Sequence, residues 1–460
     1  MGYFLGIDMG TSYFKAGLFD DKGRLKGLGR AFVKKETGKG VICELPLPVF
    51  RNTLEFCIKE AIKAADIPAG EVLTISYSSQ ANSFVLLDNN DNELTPLILW
   101  PDLRAMESDL PDRFIPDKNE FMNRTGLGET PGREFAVAKF KWFQRKKPEL
   151  WKRVKSILFI SDYLTLLLTG QKISDVSTAS LTGLLDVENC KWWGKSLELI
   201  SLKPDMLSTP LRTGTLAGRL TRSGAELTGL APGIPIFAGA LDHHCAAIGS
   251  GLPYNGLISE STGTVLACVS YSDKYNPGSS RYIAPGLTSG HHFQMAFNEN
   301  GAQSLEWYRN NYAPEYSISQ LTELAAQINS GSESLSAKPC VFKYPGLSGF
   351  NNINPSHGHG HFVRAIMEST AESLAGLVKS LKGQDSTKGI ISTGGGARSR
   401  LWTEIKAGRL KTAFYIPECN ETACMGAAMI GARGSGSFGD RDELMERWVR
   451  FEEVVEWLSG

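Results

Sequence analysis

GIDMGTSYFK, residues 6–15, is the stretch on which the reading of this chain turns. Tyr3-Phe4-Leu5 precedes it and Ala16-Gly17-Leu18-Phe19 follows, so two apolar strands meet at a small polar tip of Gly10, Thr11 and Ser12. A plain hairpin is satisfied by Asn-Gly at its turn; this one carries the carboxylate of Asp8 and two hydroxyls. Successive backbone N–H groups in a tight glycine turn make a concave anion site, and Thr11 and Ser12 add donors that suit a phosphate oxygen. Asp8 beside phosphates can hold hydrated Mg2+, which prefers oxygen ligands and keeps its waters. The alternative is an ordinary turn in which Asp8 caps loop amides. Lys15 has two readings: a phosphate contact, or a strand side chain whose ammonium snorkels to water.

The device recurs. Residues 256–270, GLISESTGTVLACVS, again set a polar turn, Ser261-Thr262-Gly263-Thr264, between two apolar strands. Two such grips, one per domain, would clamp a polyphosphate in the cleft between the domains. Ser392-Thr393-Gly394-Gly395-Gly396-Ala397-Arg398 leads from a strand into a helix, and its glycines allow a flat ring or a phosphate close to the backbone. Pro417-Glu418-Cys419-Asn420-Glu421-Thr422-Ala423 follows, then Met425-Gly426-Ala427-Ala428; helix capping by Asn420 or Glu421 and close helix packing by the Gly-Ala run stand as alternatives. Asp242 ends a buried strand and opens a short helix within GLAPGIPIFAGALDHHCAAIGSG, residues 229–251. A helix N-terminus favours an ionised carboxylate, which in a cleft can accept the proton of an attacking hydroxyl; a plain N-cap is the other reading. Of His243 and His244, one is read as a substrate contact and the other as structural.

The rest of the chain organises around these turns. Strands are expected at 2–8, 14–19 and 24–33, and a helix at 49–65 with Leu54, Ile58, Ala61, Ile62 and Ala65 on one face. Ile75-Ser76-Tyr77 reads as a strand ending at Ser78-Ser79-Gln80, and 364–382 as a helix with Gly383 as its C′ residue. Residues 440–458 place Leu444, Trp448, Phe451, Val455 and Leu458 at helical spacing and are expected to be one amphipathic helix. The prediction is two α/β domains, 1–252 and 253–460, with the boundary near Gly251–Gly256.

Composition narrows the function. The chain has 460 residues, 42% of them hydrophobic, which is enough for sizeable cores. Lys+Arg and Asp+Glu are both 49, and a zero balance argues against nucleic acid as partner. The eight cysteines, at 43, 57, 190, 245, 268, 340, 419 and 424, form no CxxC and suggest neither a zinc site nor a disulfide framework. No apolar run approaches a membrane span and Met1 leads straight into a strand, so no membrane partner and a reducing cytoplasm are expected.

Taken together, these elements resemble the FGGY family of carbohydrate kinases, within the actin/Hsp70/hexokinase-like ATPase superfamily. The resemblance rests on GIDMGTSYFKAGLFD (6–20), SSQANSFVLLDNNDNELTPLILWPDLRA (78–105), SDYLTLLLTGQKISDVSTAS (161–180), 229–251, STGTV (261–265), STGGGARSRLWTEIKA and PECNETACMGAA. It implies two ribonuclease H-like domains, each a mixed five-stranded sheet flanked by helices, with an interdomain cleft. It implies ATP and Mg2+, with Asp8 and Asp242 as metal-associated carboxylates and Asp242 as catalytic base. Gly10, Thr11, Ser12 and Lys15 look like the first phosphate motif, Gly263 and Thr264 the second. Gly394, Gly395, Gly396 and Ala397 look like the adenosine motif, with Asn420 and Glu421 nearby. Gln80, Asn82, Trp100, Asp102 and Arg104 fall where such kinases contact the sugar, although Asp102 and Arg104 could instead pair to hold their loop; His243 is added as the substrate contact of its pair.

The implied activity is phosphorylation of a small ketose, foremost a pentulose such as xylulose, with glycerol, gluconate and rhamnulose or fuculose as alternatives. A small-molecule sugar is the expected partner; the sequence leaves the oligomeric state open, and the resemblance admits a homodimer. This sequence departs from the family at Ala81-Asn82, His243-His244, Gly346–Asn352, and Glu404 with Ala407-Gly408. These departures bear on the sugar and the nucleotide contacts, and keep a nucleotide-switched or inactive sugar-binding relative as competing readings. His357, His359 and His361 are read as part of a glycine-rich mobile loop, not a metal site.

Overall fold

A computed structural model of the chain describes residues 2–38, 41–105, 117–129, 131–255, 257–382, 388–438 and 441–457. Gly256, Gly383 and Leu458 lie outside the described residues.

From Phe4 onward the strand Tyr3–Met9 is buried on both faces, as in the middle of a sheet covered by helices. It pairs antiparallel with Tyr13–Phe19 and parallel with Val72–Ser79. Leu25–Phe32 continues the meander on one side. On the other, Val72–Ser79 takes Pro235–Phe237 and then Ala240–Leu241 in parallel, and Leu216–Arg219 closes the edge antiparallel. The sheet has seven strands where five were expected, because the short Ala240–Leu241 strand and the 216–219 edge add to the core. The helix Leu47–Ala65 buries Phe50, Leu54, Cys57, Ile58 and Ala61 against one face. The helix Thr422–Gly434 covers the opposite face, so close to the first strand that a Cβ on Gly6 would sit 1.9 Å from the Cys424 carbonyl oxygen.

The second half repeats the plan. Ile258–Thr262 pairs antiparallel with Leu266–Ser272 and parallel with Ile390–Thr393, which is followed in parallel by Phe414–Pro417. The helices His359–Lys382 and Arg400–Leu410 flank these strands. The chain forms two compact units that interleave in sequence: 1–249, 272–293 and 421–449 make the first, and 250–271, 294–420 and 450–460 the second. A single division at 252/253 therefore misses two segments that return to the first unit. Among the described residues no helix is long and apolar enough to cross a membrane.

Two expectations are corrected. Residues 440–458 are not one helix. A helix spans Arg441–Trp448, and Phe451–Val455 is a strand laid antiparallel on Phe414–Pro417. Trp448, 1% exposed, packs on Phe4 and Phe19 and fixes the helix end, after which Val454-Val455 suits an edge strand better than a helical turn. The histidine run is a loop only in part: His357 lies in the turn before the helix, whereas His359 and His361 begin the helix His359–Lys382, and His361 Nδ1 accepts from the Gly358 N–H at 3.2 Å. No group of three or more metal-ligating side chains occurs there or elsewhere among the described residues.

Candidate active site

Strand register assembles the centre of the first unit. Asp8 stands opposite Lys15 on one neighbouring strand and Ser78 on the other, and Ser78 stands opposite Ala240. Directly paired residues project to the same face, so a carboxylate, an ammonium and a hydroxyl share one row at the strand tips. Two residues beyond Ala240, Asp242 opens the helix Asp242–Gly249. That helix packs on Thr422–Gly434 through two glycines. A Cβ on Gly249 would lie 2.0 Å from the Thr422 carbonyl oxygen, and one on Gly426 would lie 1.9 Å from that of Cys245. The Gly-Ala run thus makes close helix packing, one of the two readings open to it.

Ser78 Oγ donates to Asp8 Oδ1 at 2.8 Å. Asp8 is 8% exposed. Burial pushes its pKa up from 3.8 to about 6, against the Ser78 bond; the charge of Asp242 adds to the rise, and Lys15 opposes it. Lys15 Nζ in turn donates to Glu421 Oε2 at 2.5 Å. Glu421 therefore stands in the first unit beside Asp8, while the exposed Asn420 ends a segment of the second. Asp242 is partly accessible, and its Oδ1 accepts from the His243 N–H at 2.7 Å. His244 is the structural member of its pair: buried, bonded through Nδ1 to Ser177 Oγ at 2.8 Å, and stacked on Phe293. Desolvation drives its pKa down to about 3.

The remaining candidates of this unit sit beside the first turn. Thr11 Oγ1 accepts from Trp100 Nε1 at 2.8 Å, while Trp100 as a residue is 43% exposed. Gln80 is buried, donating through Nε2 to the Met9 carbonyl and accepting from Ser83 Oγ. Asn82, at φ 60°, spans the Ala136 N–H and the Leu181 carbonyl, so both ends of its amide are engaged. Asp102, fully buried, accepts from Arg104 Nε at 2.8 Å and from the Cys43 N–H at 2.7 Å, and Arg104 also pairs with Glu44. This is the loop-holding arrangement of Asp102 and Arg104.

In the second unit the two expected nucleotide motifs meet. Gly394 has φ 78°, and a Cβ there would lie 2.9 Å from Ser261 Oγ; one on Gly396 would lie 2.6 Å from Thr262 Cβ. Gly395 and Thr264 are exposed, and Gly263 and Ala397 partly so. Beneath them lies an ion pair that sequence reading missed. Lys406 Nζ donates to Glu260 Oε1 at 2.6 Å, and both side chains are 0% exposed. Glu260 also accepts from Thr262 Oγ1 at 2.8 Å and from Ser392 Oγ, tying both motifs to one carboxylate.

Residues 3–249 match the N-terminal domain of the FGGY family of carbohydrate kinases, and residues 262–435 match its C-terminal domain. The chain belongs to this family. It is 28% identical to a xylulose kinase of Lactococcus lactis, over 99% of this chain and 92% of that protein. It is 26% identical to a gluconokinase of Bacillus subtilis, over 96% and 90%. A ligand-bound xylulose kinase from Lactobacillus acidophilus shares the fold, with a TM-score of 0.89 at 20% identity over 100% of this chain and 94% of that one. The protein is thus an FGGY sugar kinase, a phosphotransferase with the two-domain α/β fold of the solved FGGY kinase structures. For this FGGY kinase, sequence reading overlooked Ser78, Lys139, Glu260 and Lys406. A lysine within the apolar helix segment AVAKF and a glutamate inside the strand ISEST were the available signals.

Proposed function

We propose that this FGGY kinase transfers the γ-phosphoryl group of ATP to a hydroxyl of a pentulose, with xylulose as the leading substrate. The observation that carries the reading is Asp242: a partly accessible carboxylate at a helix start, electrostatically coupled to the buried Asp8 on the neighbouring strand tips. The xylulose kinase relative supports the substrate. The gluconokinase relative keeps gluconate as the second reading.

Asp8 and Asp242 would hold Mg2+. The fit is chemical: two carboxylates and the Ser78 hydroxyl offer oxygen donors only, and the nearby ammonium of Lys15 is already engaged by Glu421. When bound, the ion neutralises phosphate charge. The amides and hydroxyls of Gly10, Thr11 and Ser12 bind phosphate oxygens, as do those of Gly263 and Thr264. Gly394 to Ala397 admit the adenosine, with Asn420 at its margin. Glu421 acts through Lys15. Gln80 and Asn82 shape the sugar pocket through the backbone they hold. The exposed Trp100 offers its ring to the sugar, His243 lies beside the acceptor, and the Asp102–Arg104 pair fixes the loop. Asp242 orients the acceptor hydroxyl and takes its proton. Positioning and charge stabilisation supply most of the acceleration. The eight cysteines, none of them in a CxxC pair, support a reducing, cytoplasmic setting.

Coupled ADP release over a panel of ketoses, polyols and aldonates tests this. Highest kcat/KM on d-xylulose is the expected result. Highest turnover on gluconate favours the second reading, and no sugar-dependent release contradicts the kinase assignment to this chain.

A further inference from the structure

Lys139 is buried, and among the described residues no carboxylate bonds to it. It lies on the helix Ala136–Lys146 and is 0% exposed. Its ammonium donates to three backbone carbonyls: Leu99 at 3.0 Å, Trp100 at 2.9 Å and Glu134 at 3.0 Å. An ammonium has three N–H donors, so the set is saturated. Burying a charge in this way is costly unless every donor is met, and a neutral amide would join two carbonyls with less desolvation. Two of the three carbonyls belong to the Leu99-Trp100 turn. The Trp100 N–H donates to Ser83 Oγ at 2.9 Å, and its indole donates to Thr11 of the first phosphate turn at 2.8 Å. Ser83 Oγ donates to Gln80 Oε1 at 2.9 Å. Trp100 is thus held at its carbonyl, its amide and its ring, and among the described residues only Lys139 grips its carbonyl.

The geometry points to Lys139 as a positioning residue that sets the Trp100 loop for sugar binding through its three-donor ammonium. The inference rests on the reading of Trp100 as a sugar contact. It carries a pH signature, because a neutral amine has two donors and cannot hold three carbonyls. Burial, with the charge of Arg104 acting the same way, brings the Lys139 pKa down to about 7, while Asp102, Glu134 and Cys43, which also face it among the described residues, act upward. The loop therefore loosens as pH rises through neutrality, and sugar binding weakens while nucleotide binding does not.

The test measures kcat, KM for d-xylulose and KM for MgATP from pH 6 to 8.5 in the wild type, Lys139→Met, Lys139→Arg and Trp100→Ala. In the wild type the sugar KM rises at least about 3-fold over this range and the MgATP KM stays flat. Lys139→Met raises the sugar KM about 10-fold and abolishes the pH dependence; Lys139→Arg, always charged, recovers part of the affinity and is also flat. Hydrogen exchange of residues 97–104 reads the same clamp without substrate, and runs at least about 10-fold faster in Lys139→Met. A sugar KM within 2-fold of wild type in Lys139→Met, with unchanged exchange, overturns the inference, as does a wild-type pH profile with a flat sugar KM. If Lys139→Met does not fold, the wild-type profile and Lys139→Arg decide alone. A Trp100→Ala enzyme with unaltered sugar KM removes the loop from the site and overturns the underlying reading; a raised KM there, with Lys139→Met unaffected, overturns the Lys139 role only.

Discussion

Lys15 Nζ lies 2.5 Å from Glu421 Oε2, joining two residues 406 positions apart in the sequence. The pair bears on the charge around Asp8, whose pKa Lys15 lowers and Glu421 raises. A double-mutant cycle on Lys15→Met and Glu421→Gln should return a coupling energy of about 1 kcal/mol in thermal or denaturant unfolding. Additive effects of the two substitutions would show that the contact contributes nothing.

Asp8 is held for function at a cost in stability. Its folded-state pKa, about 6, exceeds its ordinary 3.8. Between those values the folded state binds more protons than the unfolded one, so its contribution is complete below about pH 4 and is lost as pH rises through 6. The shift corresponds to a loss on the order of 3 kcal/mol at pH 7. Without metal, Asp8→Asn is therefore expected to be at least as stable as the wild type at pH 7 while phosphorylating sugar at least about 100-fold more slowly. Melting curves from pH 4 to 8 check this; a variant less stable at pH 7 than at pH 4, relative to wild type, would contradict it.

How much of this arrangement was legible follows from the range of the interactions. The two Gly-Thr hairpins and Asp242 were readable because each is encoded within about fifteen residues by apolar runs and a polar turn. The pairing of Asp102 with Arg104 was visible as an alternative for the same reason. Nothing local states that Glu421 belongs with Lys15, because the helix Thr422–Gly434 leaves the second unit for the first, and its destination is set by the glycine contact between Gly249 and Gly426. Residues 451–455 misled because Phe451 and Val455 fit a helical face as well as a strand; pairing with Phe414–Pro417 decided between them.

Asp162 and Asp175 form a buried acidic pair in the first unit, both 0% exposed. Burial raises the pKa of both, and with the charge of Asp175 it takes Asp162 to about 8. The contribution of Asp162 is fully present near pH 4 and declines as pH rises toward its folded pKa. Asp162→Asn should be tolerated within about 1 kcal/mol at acid pH and should gain on the wild type toward pH 8. A widening deficit with rising pH, measured by denaturant unfolding, would reverse this assignment.

Glu260 and Lys406 test the second unit. Lys406→Met leaves a buried carboxylate unpaired and should cost about 3–5 kcal/mol, most of it regained in the Glu260→Leu/Lys406→Met double variant. Because Thr262 and Ser392 share that carboxylate, the double variant should raise the KM for MgATP while leaving that for sugar unchanged. An equal rise in both would mean that the pair supports the whole fold rather than the nucleotide turns.

The role of Asp242 is most directly tested by Asp242→Asn, with kcat and ADP affinity measured on one preparation. General-base help is worth about 10²–10⁴-fold, so kcat is predicted to fall by that factor while metal-free ADP binds with wild-type affinity. Turnover close to wild type would show that the acceptor hydroxyl gives its proton to another group.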